Sequence, residues 1–323
     1  MGEGVKVLYI AGSTRCGSTI LGNILGQIEG FVHVGEIIEL WWGLRSGLSC
    51  GCGVPIAACN VWGDVLKEAY GGRDESVISR MLHFRYREAR TSTFLRTTTS
   101  RGAHTFQRRL AQPLAELGRL YSGIQKVFNC EVIVDSSKAP FYGYTLQLAE
   151  ATDPYVLHLI RDPRATAFSW FRRAIRDRGM PWGGQVGQLN SSLMWDYRNW
   201  VTELMGKRFK HRPLRLRYED FVADPRGSLQ RILNFVGKTT SALPLEDEHR
   251  LNVKVQHTVW GNPVRYKTGK IEVQGDDEWA TRMKMRHKIL ATAVTWPLLL
   301  KYGYPIRAWN LGERGLQQGL QTP

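Results

Sequence analysis

The sequence lacks any long apolar run. No stretch approaches the roughly 18 uninterrupted apolar residues of a membrane-spanning helix, and residues 289–300, which come nearest, are interrupted by Pro297. Strand-like residues begin at Val5, where a signal peptide would have its apolar segment. We therefore expect a cytoplasmic protein with no membrane span, in which residues 289–300 form a packed terminal helix.

Cysteine is scarce, with five in 323 residues, which excludes a secreted disulfide scaffold. Three of the five cluster as Cys50, Cys52 and Cys59. A zinc site normally needs four ligands and C-x₂₋₄-C spacing, and this cluster meets neither condition. We favour a reduced loop, with a local disulfide as the second choice and zinc as the third. Cys130 precedes an apolar strand and is expected in the core.

Acidic residues are too few to balance the basic ones. The chain has 44 Lys and Arg against 29 Asp and Glu, for a formal net charge of +15. Such an excess indicates anionic partners: nucleotides, acidic glycans, nucleic acid or an acidic membrane surface. Charge alone does not choose among these. The hydrophobic content of 43% is sufficient for a core and argues against a disordered chain.

Residues 12–19 read GSTRCGST, a phosphate-binding loop without its lysine. The usual pattern is G-x-x-x-x-G-K-[ST], in which glycines let backbone N–H groups surround phosphate oxygens and the lysine reaches the β- and γ-phosphates. Here Ser18 takes the lysine position, and Arg15 places a cation inside the loop. An apolar strand precedes the loop and a helical pattern follows it, so a bound anion would meet a helix N-terminus. The loop is expected to bind a nucleotide phosphate, but not a triphosphate in the usual way.

Apolar strands alternate with helices along the rest of the chain. Strands are predicted at residues 131–135, 155–160 and 214–217, and helices at 104–128, 163–178, about 188–207 and 225–236. This alternation predicts an α/β fold with a central parallel sheet flanked by helices. Ligands of such sheets bind beyond the carboxyl ends of the strands, so the polar residues at those ends are the candidates for a site.

Two strand ends carry residues suited to a nucleotide. Arg161 ends one strand and Ser169 lies about two turns into the next helix; together they would clamp a phosphate. On the residues alone, an Arg161–Asp162 pair with Ser169 on the helix surface is the favoured alternative. Tyr218 follows the strand at 214–217 and would meet a base or sugar, although a buried tyrosine is the commoner outcome.

Three segments together resemble a known family. GSTRCGSTIL, LIRDPRATAFSW and RLRYEDFVADPRGSLQRILNFVG are similar, in this order, to signatures of sulfotransferases that use 3′-phosphoadenosine 5′-phosphosulfate. The resemblance runs from the first strand to about residue 238, and more loosely through residues 261–265 to the helix after Asp277. It implies one sulfotransferase domain of the P-loop type over residues 1–323. A helical and loop excursion would occupy about 40–128, and a C-terminal loop and helix about 255–323.

The resemblance also assigns the donor site. The donor has one 5′-phosphate and no β- or γ-phosphate, which accounts for the missing lysine, and no metal is required. Arg161 and Ser169 would bind the 3′-phosphate, Tyr218 would approach the adenine, and Arg265 would add a second cation at the 3′-phosphate. The 5′-phosphosulfate would be held by the loop, namely by Arg15, Cys16, Gly17, Ser18 and Thr19.

Catalysis needs a cation at the leaving group and a base for the acceptor. Arg15 and Lys138 are the candidate cations. Cytosolic members of the family carry a catalytic histidine in a K-x-H-L-P-like run, but here the run continues from Lys138 as KAP. The glycine–glutamate element of tyrosylprotein and some carbohydrate sulfotransferases resembles residues 35–36, which makes Glu36 the expected base. Its alternative is a glutamate at a helix N-terminus, and His33 is the reserve base.

Two other functions compete with this interpretation. A P-loop kinase or nucleoside triphosphatase would use Asp135 at a strand end for magnesium, but would have to replace the loop lysine from elsewhere. A non-enzymatic module binding a polyanion is compatible with the charge, yet no nucleic-acid-binding motif is present, so no nucleic-acid partner is expected. The loop and the two strand-end motifs favour the transferase.

The acceptor is the part of the function that the sequence specifies least. We expect a hydroxyl of a glycan, a lipid or a small molecule, and the oligomeric state stays open. Tryptophans near strand ends and loops would line an aromatic or sugar-stacking pocket, although each alone is more commonly a packing residue: Trp41, Trp42, Trp170, Trp182 and Trp195.

Overall fold

A computed structural model describes residues 4–89, 100–178, 185–239 and 242–306 of the chain. Seven strands are present in these ranges: β1 Val5–Gly12, β2 Phe31–Gly35, β3 Val132–Lys138, β4 Thr152–Ile160, β5 Leu214–Arg217, β6 Arg250–Val253 and β7 Gly269–Glu272. The first five form one parallel sheet in the order β2-β3-β1-β4-β5, and β6 pairs antiparallel with β7. The predicted α/β architecture with a central parallel sheet is therefore confirmed.

Helices cover both faces of this sheet. In the first half of the chain they are α1 Ser18–Leu25, α2 Leu40–Ser46, α3 Asn60–Tyr70, α4 Glu75–His83, α5 Ser100–Arg109, α6 Ala111–Phe128 and α7 Pro140–Leu148. In the second half they are α8 Pro163–Arg178, α9 Gln185–Gly206, α10 Tyr218–Ala223, α11 Pro225–Phe235, α12 Glu278–Arg282 and α13 Met285–Lys301. Residues 289–300 lie within α13, which packs against α8 and α9.

The central strand β1 is buried on both sides. Val7 and Tyr9 point into the apolar cluster beneath α3, α6 and α7, whereas Leu8 and Ile10 point into the cluster beneath α1 and α11. A strand with helices on both faces has no solvent side, which explains its continuous apolar run. Two cores thus hold the sheet rigidly between helical layers.

Two elements differ from the sequence prediction. The helix predicted over residues 104–128 is broken at Leu110 into α5 and α6. Pro113 explains the break, because a continuous helix would need its missing N–H and would press its ring on the carbonyl of Arg109. The strand β2 was not predicted, since its five residues FVHVG include a histidine and end in glycine.

Within the four described ranges, no helix combines the length and the apolar character that crossing a membrane demands.

Candidate functional site

All five parallel strands deliver a side chain to one cavity of about 620 Å³ at the carboxyl edge of the sheet. The edge residues, taken strand by strand from β1 to β5, are Arg15, Glu36, Lys138, Arg161 and Tyr218. All five are among the site residues that the sequence predicts. The parallel arrangement brings together residues that lie as much as 203 positions apart in the sequence.

The loop between β1 and α1 forms the floor of the cavity. Its backbone turns through left-handed conformations at Arg15 (φ 66°) and Gly17 (φ 95°). A Cβ at Gly17 would lie 2.3 Å from the ring of Tyr218, so only glycine fits there. Helix α1 begins immediately afterwards at Ser18, and the N–H groups of its first turn have no partner within the helix. The strand, the glycine-bearing loop and the helix N-terminus on which an anion site was predicted are therefore all present.

Arg161, Ser169 and Tyr218 meet on one side of this loop. The Arg15 Nε donates to the Ser169 hydroxyl at 3.0 Å, and Arg161 donates to the Arg15 carbonyl at 3.2 Å. The Arg161 guanidinium lies over the Tyr218 ring, 4.8 Å from its centroid. Arg161 and Ser169 are both buried. Arg161 therefore contacts the predicted base-binding tyrosine, and both members of the predicted phosphate clamp bond to Arg15.

The alternative pairing of Arg161 with Asp162 does not occur. Asp162 instead binds Arg164, with Nη2 and Oδ2 2.6 Å apart, and both side chains are buried. Arg161 points the other way, toward the cavity, where its partner is the carboxylate of Asp276 at 3.1 Å. Asp276 also pairs with Arg172 at 3.1 Å. Sequence reasoning missed Asp276, because a pairing across 115 positions leaves no local signal.

Glu36 and Lys138 form an ion pair between the ends of β2 and β3. Lys138 has a left-handed backbone (φ 65°), and its Nζ also donates to the Ser136 carbonyl at 3.0 Å. Both side chains are largely buried, with 14% of the Glu36 and 7% of the Lys138 side chain exposed. A carboxylate and an ammonium group thus face the cavity side by side, as a base and a charge-stabilising cation would have to.

His33 lies behind this wall. Its ring nitrogens contact the Ser136 hydroxyl at 3.1 Å and the Asn23 side-chain oxygen at 3.2 Å, and the residue is buried. Burial, followed by the positive charge of Lys138, lowers the pKa of His33 to about 3. His33 does not line the cavity, so the reserve base is in a packing position.

Asp135, which would bind magnesium in the kinase alternative, also does not line the cavity. It is fully buried, and burial raises its pKa to about 6. One carboxylate oxygen accepts from the Tyr121 hydroxyl at 2.5 Å, and the other accepts from the backbone N–H of Ser137 at 2.8 Å. The protein itself therefore uses this carboxylate to tie β3 to α6.

Two predicted donor-site residues direct their side chains elsewhere. Arg265 donates to the carbonyls of Thr258, Val259 and Ser49 at 2.8–3.1 Å and does not line the cavity. Its guanidinium is occupied by backbone, so the structure assigns it to loop anchoring rather than to a phosphate. The side chain of Cys16 is buried in the core beneath α1, which leaves only its backbone in the loop.

Two tryptophan side chains line the cavity. Trp170 lines it with 39% of its surface exposed, and Trp260 lines it from the C-terminal segment. Trp42 packs edge-on against Trp260 with ring centroids 5.8 Å apart. Of the predicted tryptophans, Trp170 lines the cavity, whereas Trp42 packs against the cavity-lining Trp260.

The other tryptophans of the set have different positions. Trp41 is buried beneath the sheet, and Trp195 is buried with its indole N–H donating to the Arg161 carbonyl at 2.8 Å. Trp182 lies outside the described residues. Trp195 therefore acts on the site by holding the backbone of Arg161.

The chain was compared with known proteins. The sequence model of a family described as "Sulfotransferase family" matches residues 8–241. The sulfotransferase domain of an olefin synthase from Synechococcus PCC 7002 superposes with a TM-score of 0.50 at 19% identity, covering 90% of this chain and 95% of that domain. A sulfotransferase domain from the curacin biosynthetic pathway gives a TM-score of 0.51 at 15% identity, covering 93% and 99%. No curated protein matches the sequence.

Proposed function

The chain belongs to the sulfotransferase family, and on that premise we propose that it transfers a sulfonate from 3′-phosphoadenosine 5′-phosphosulfate to an acceptor hydroxyl. The observation that carries the proposal is the meeting of Arg15, Arg161 and Tyr218 around a phosphate loop without a lysine. A donor with a single 5′-phosphate and a separate 3′-phosphate needs two anion sites and no group for β- and γ-phosphates.

The donor is proposed to lie along the loop. The backbone N–H groups of residues 15–19 and the first turn of α1 would hold the 5′-phosphosulfate. Arg161 and Ser169 would take the 3′-phosphate, with Arg161 exchanging its bond to Asp276 for one to the ligand. Tyr218, already packed on the Arg161 guanidinium, would contact the adenine. This placement uses every predicted donor residue except the side chains of Cys16 and Arg265.

The transfer step is assigned to the ion pair of Glu36 and Lys138 in the same cavity. Glu36 accepts the proton of the acceptor hydroxyl while the oxygen of that hydroxyl forms a bond to sulfur. The bond from sulfur to the phosphate oxygen breaks at the same time, and its electron pair stays on that phosphate oxygen. Lys138 and Arg15 neutralise the charge that develops there. Positioning and electrostatics supply the catalysis, as in phosphoryl transfer.

The acceptor is proposed to enter past the tryptophans. Trp170 and Trp260 line the same cavity as Glu36, so a sugar ring or an apolar chain stacked on them would present a hydroxyl toward Glu36. A glycan, a lipid or a small molecule remains the proposed class.

A transfer assay with labelled donor tests the proposal. The purified chain is incubated with sulfur-labelled donor and a panel of sugar, lipid and phenolic hydroxyls, with and without added Mg²⁺. We expect labelled product and stoichiometric release of adenosine 3′,5′-bisphosphate with at least one acceptor class, at rates that do not depend on Mg²⁺. Hydrolysis of ATP that requires Mg²⁺, with no transfer to any acceptor, would support the kinase alternative instead.

A further inference from the structure

Four potential metal ligands converge on the side of the molecule behind Trp260. Cys50, Cys52, Cys59 and His257 place one ligand atom each within 4.8 Å of all the others. The Cys52 and Cys59 sulfurs are 3.8 Å apart, and the His257 Nδ1 lies 3.8 Å from the Cys50 sulfur and 3.3 Å from the Cys59 sulfur. The fourth side chain, His257, joins the three clustered cysteines from almost two hundred residues away.

These three separations lie within about 0.3 Å of the edges of a zinc tetrahedron. With Zn–S bonds of about 2.3 Å and a Zn–N bond of about 2.0–2.1 Å, tetrahedral geometry requires S···S edges of about 3.8 Å and S···N edges of about 3.5 Å. A disulfide between Cys52 and Cys59 would instead require a sulfur separation of about 2.05 Å. The observed spacing therefore fits four ligands around one ion better than it fits a disulfide.

Backbone hydrogen bonds join the segments that carry these ligands. The Cys50 N–H donates to the Val54 carbonyl at 2.7 Å, which folds the loop that carries Cys50 and Cys52. The Gly51 N–H donates to the Thr258 carbonyl at 2.9 Å, and a Cβ at Gly51 would lie 2.3 Å from the Gln256 carbonyl oxygen. The Trp62 indole N–H donates to the His257 carbonyl at 3.1 Å. The loop and the His257 segment are thus closely packed at this point.

We propose that Cys50, Cys52, Cys59 and the Nδ1 of His257 bind one structural Zn²⁺. Four protein ligands complete the tetrahedron and leave no position for substrate, which is the pattern of a structural rather than a catalytic site. Cys59 directly precedes α3, so the start of that helix fixes its position. The proposal rests on ligand geometry and does not depend on the proposed transferase activity.

The ion would fix one wall of the cavity. Residues 257–259 lead directly to Trp260, and the Val259 N–H donates to the Val34 carbonyl at 2.9 Å, two residues before Glu36. Arg265 anchors the same segment through the carbonyls of Thr258 and Val259. The zinc site and Arg265 are therefore two cationic anchors for a segment that has little regular secondary structure of its own.

Metal content measured by mass spectrometry tests the site. The chain is purified without chelator from cells grown with added zinc, alongside the variants Cys59→Ser, His257→Ala and His257→Cys. We expect about one zinc per chain in the wild type and in His257→Cys, which keeps four ligands, and under about a tenth of that in Cys59→Ser and His257→Ala. Cys130→Ser, a free cysteine outside the cluster, serves as the matched control with full zinc content.

Two further measurements keep the result decisive if a variant fails to fold. Wild-type protein stripped of metal under reducing conditions is titrated with Co²⁺, and we expect sulfur-to-cobalt charge transfer and the strong visible bands of tetrahedral cobalt. Thiols are also counted in the denatured wild-type chain with chelator present, and all five are expected to react. A wild-type chain with no zinc and no cobalt spectrum overturns the proposal. Five reactive thiols would then indicate a reduced loop, and three would indicate a disulfide.

Discussion

At the residue scale, the candidate site consists of side chains whose partners come from distant parts of the chain. Arg161, Ser169 and Tyr218 were found in the sequence because each belongs to a segment with a recognisable motif. Asp276 and His257 were not, because they act through pairings across 115 and about 200 positions and lie in irregular segments. Motifs identify residues that act locally, whereas partners brought together by tertiary folding require the structure.

Glu36→Gln tests the proposed base. The amide keeps the shape of the side chain but cannot accept a proton, so turnover should fall by about 10²–10⁴-fold. Affinity for adenosine 3′,5′-bisphosphate should stay within about twofold, because Glu36 is proposed to act on the acceptor and not to bind the nucleotide. Steady-state kinetics and calorimetry give the two numbers.

Glu39→Gln is the matched control for that variant. Glu39 is three residues away, pairs with Arg85 and does not line the cavity, so its turnover should stay near that of the wild type. Wild-type turnover in Glu36→Gln would remove Glu36 from the mechanism.

At the scale of elements, the strand–loop–helix unit β1–α1 was the easiest part to predict. Its apolar strand, its glycines and its helical pattern are contiguous, so one segment of sequence contains the whole unit. The strand β2 was missed because five residues ending in glycine resemble a loop, and α5 was joined to α6 because helical periodicity continues across Pro113. Local patterns therefore predicted the core elements well and their ends and edges less well.

Gly17→Ala tests the phosphate loop as an element. The new methyl would lie 2.3 Å from the Tyr218 ring at a backbone φ of 95°, so loop and ring must separate. We expect a stability loss of about 1–3 kcal/mol and affinity for adenosine 3′,5′-bisphosphate reduced about tenfold or more, measured by thermal denaturation and calorimetry.

Gly63→Ala provides the comparison. Gly63 lies inside α3, and a Cβ there meets nothing within 4 Å. The variant should be more stable than the wild type by up to about 1 kcal/mol, with its affinity for the nucleotide unchanged. If both glycine variants bound the nucleotide as the wild type does, the loop would not be its phosphate site.

At the scale of the whole molecule, a sheet with helices on both faces buries its own polar groups. His33 is the clearest case: it is packed between β2, α1 and β3 with a pKa near 3. The unfolded chain binds a proton at His33 below about pH 6.5, and the folded chain does so only near pH 3. Stability from this group is therefore present above about pH 6.5 and is lost as the pH falls toward 3.

His33→Gln should flatten the pH dependence of stability. Proton uptake at His33 in the unfolded wild type lowers the free energy of unfolding by about 2 kcal/mol from about pH 7 to about pH 5. The variant lacks this loss. Urea unfolding at both pH values measures the difference. His83→Gln, which changes an exposed histidine, should keep the wild-type slope. Parallel curves for the wild type and His33→Gln would show that His33 is not the group responsible.

The central claim is that this molecule binds a nucleotide through separate 5′- and 3′-phosphate sites. Calorimetric titration of adenosine 3′,5′-bisphosphate and of adenosine 5′-monophosphate into the wild type and Arg161→Ala tests it most directly. Arg161→Ala should reduce the affinity for the bisphosphate by about 30-fold or more and leave the affinity for the monophosphate almost unchanged. No binding of the bisphosphate, or an equal loss for both ligands, would contradict the account.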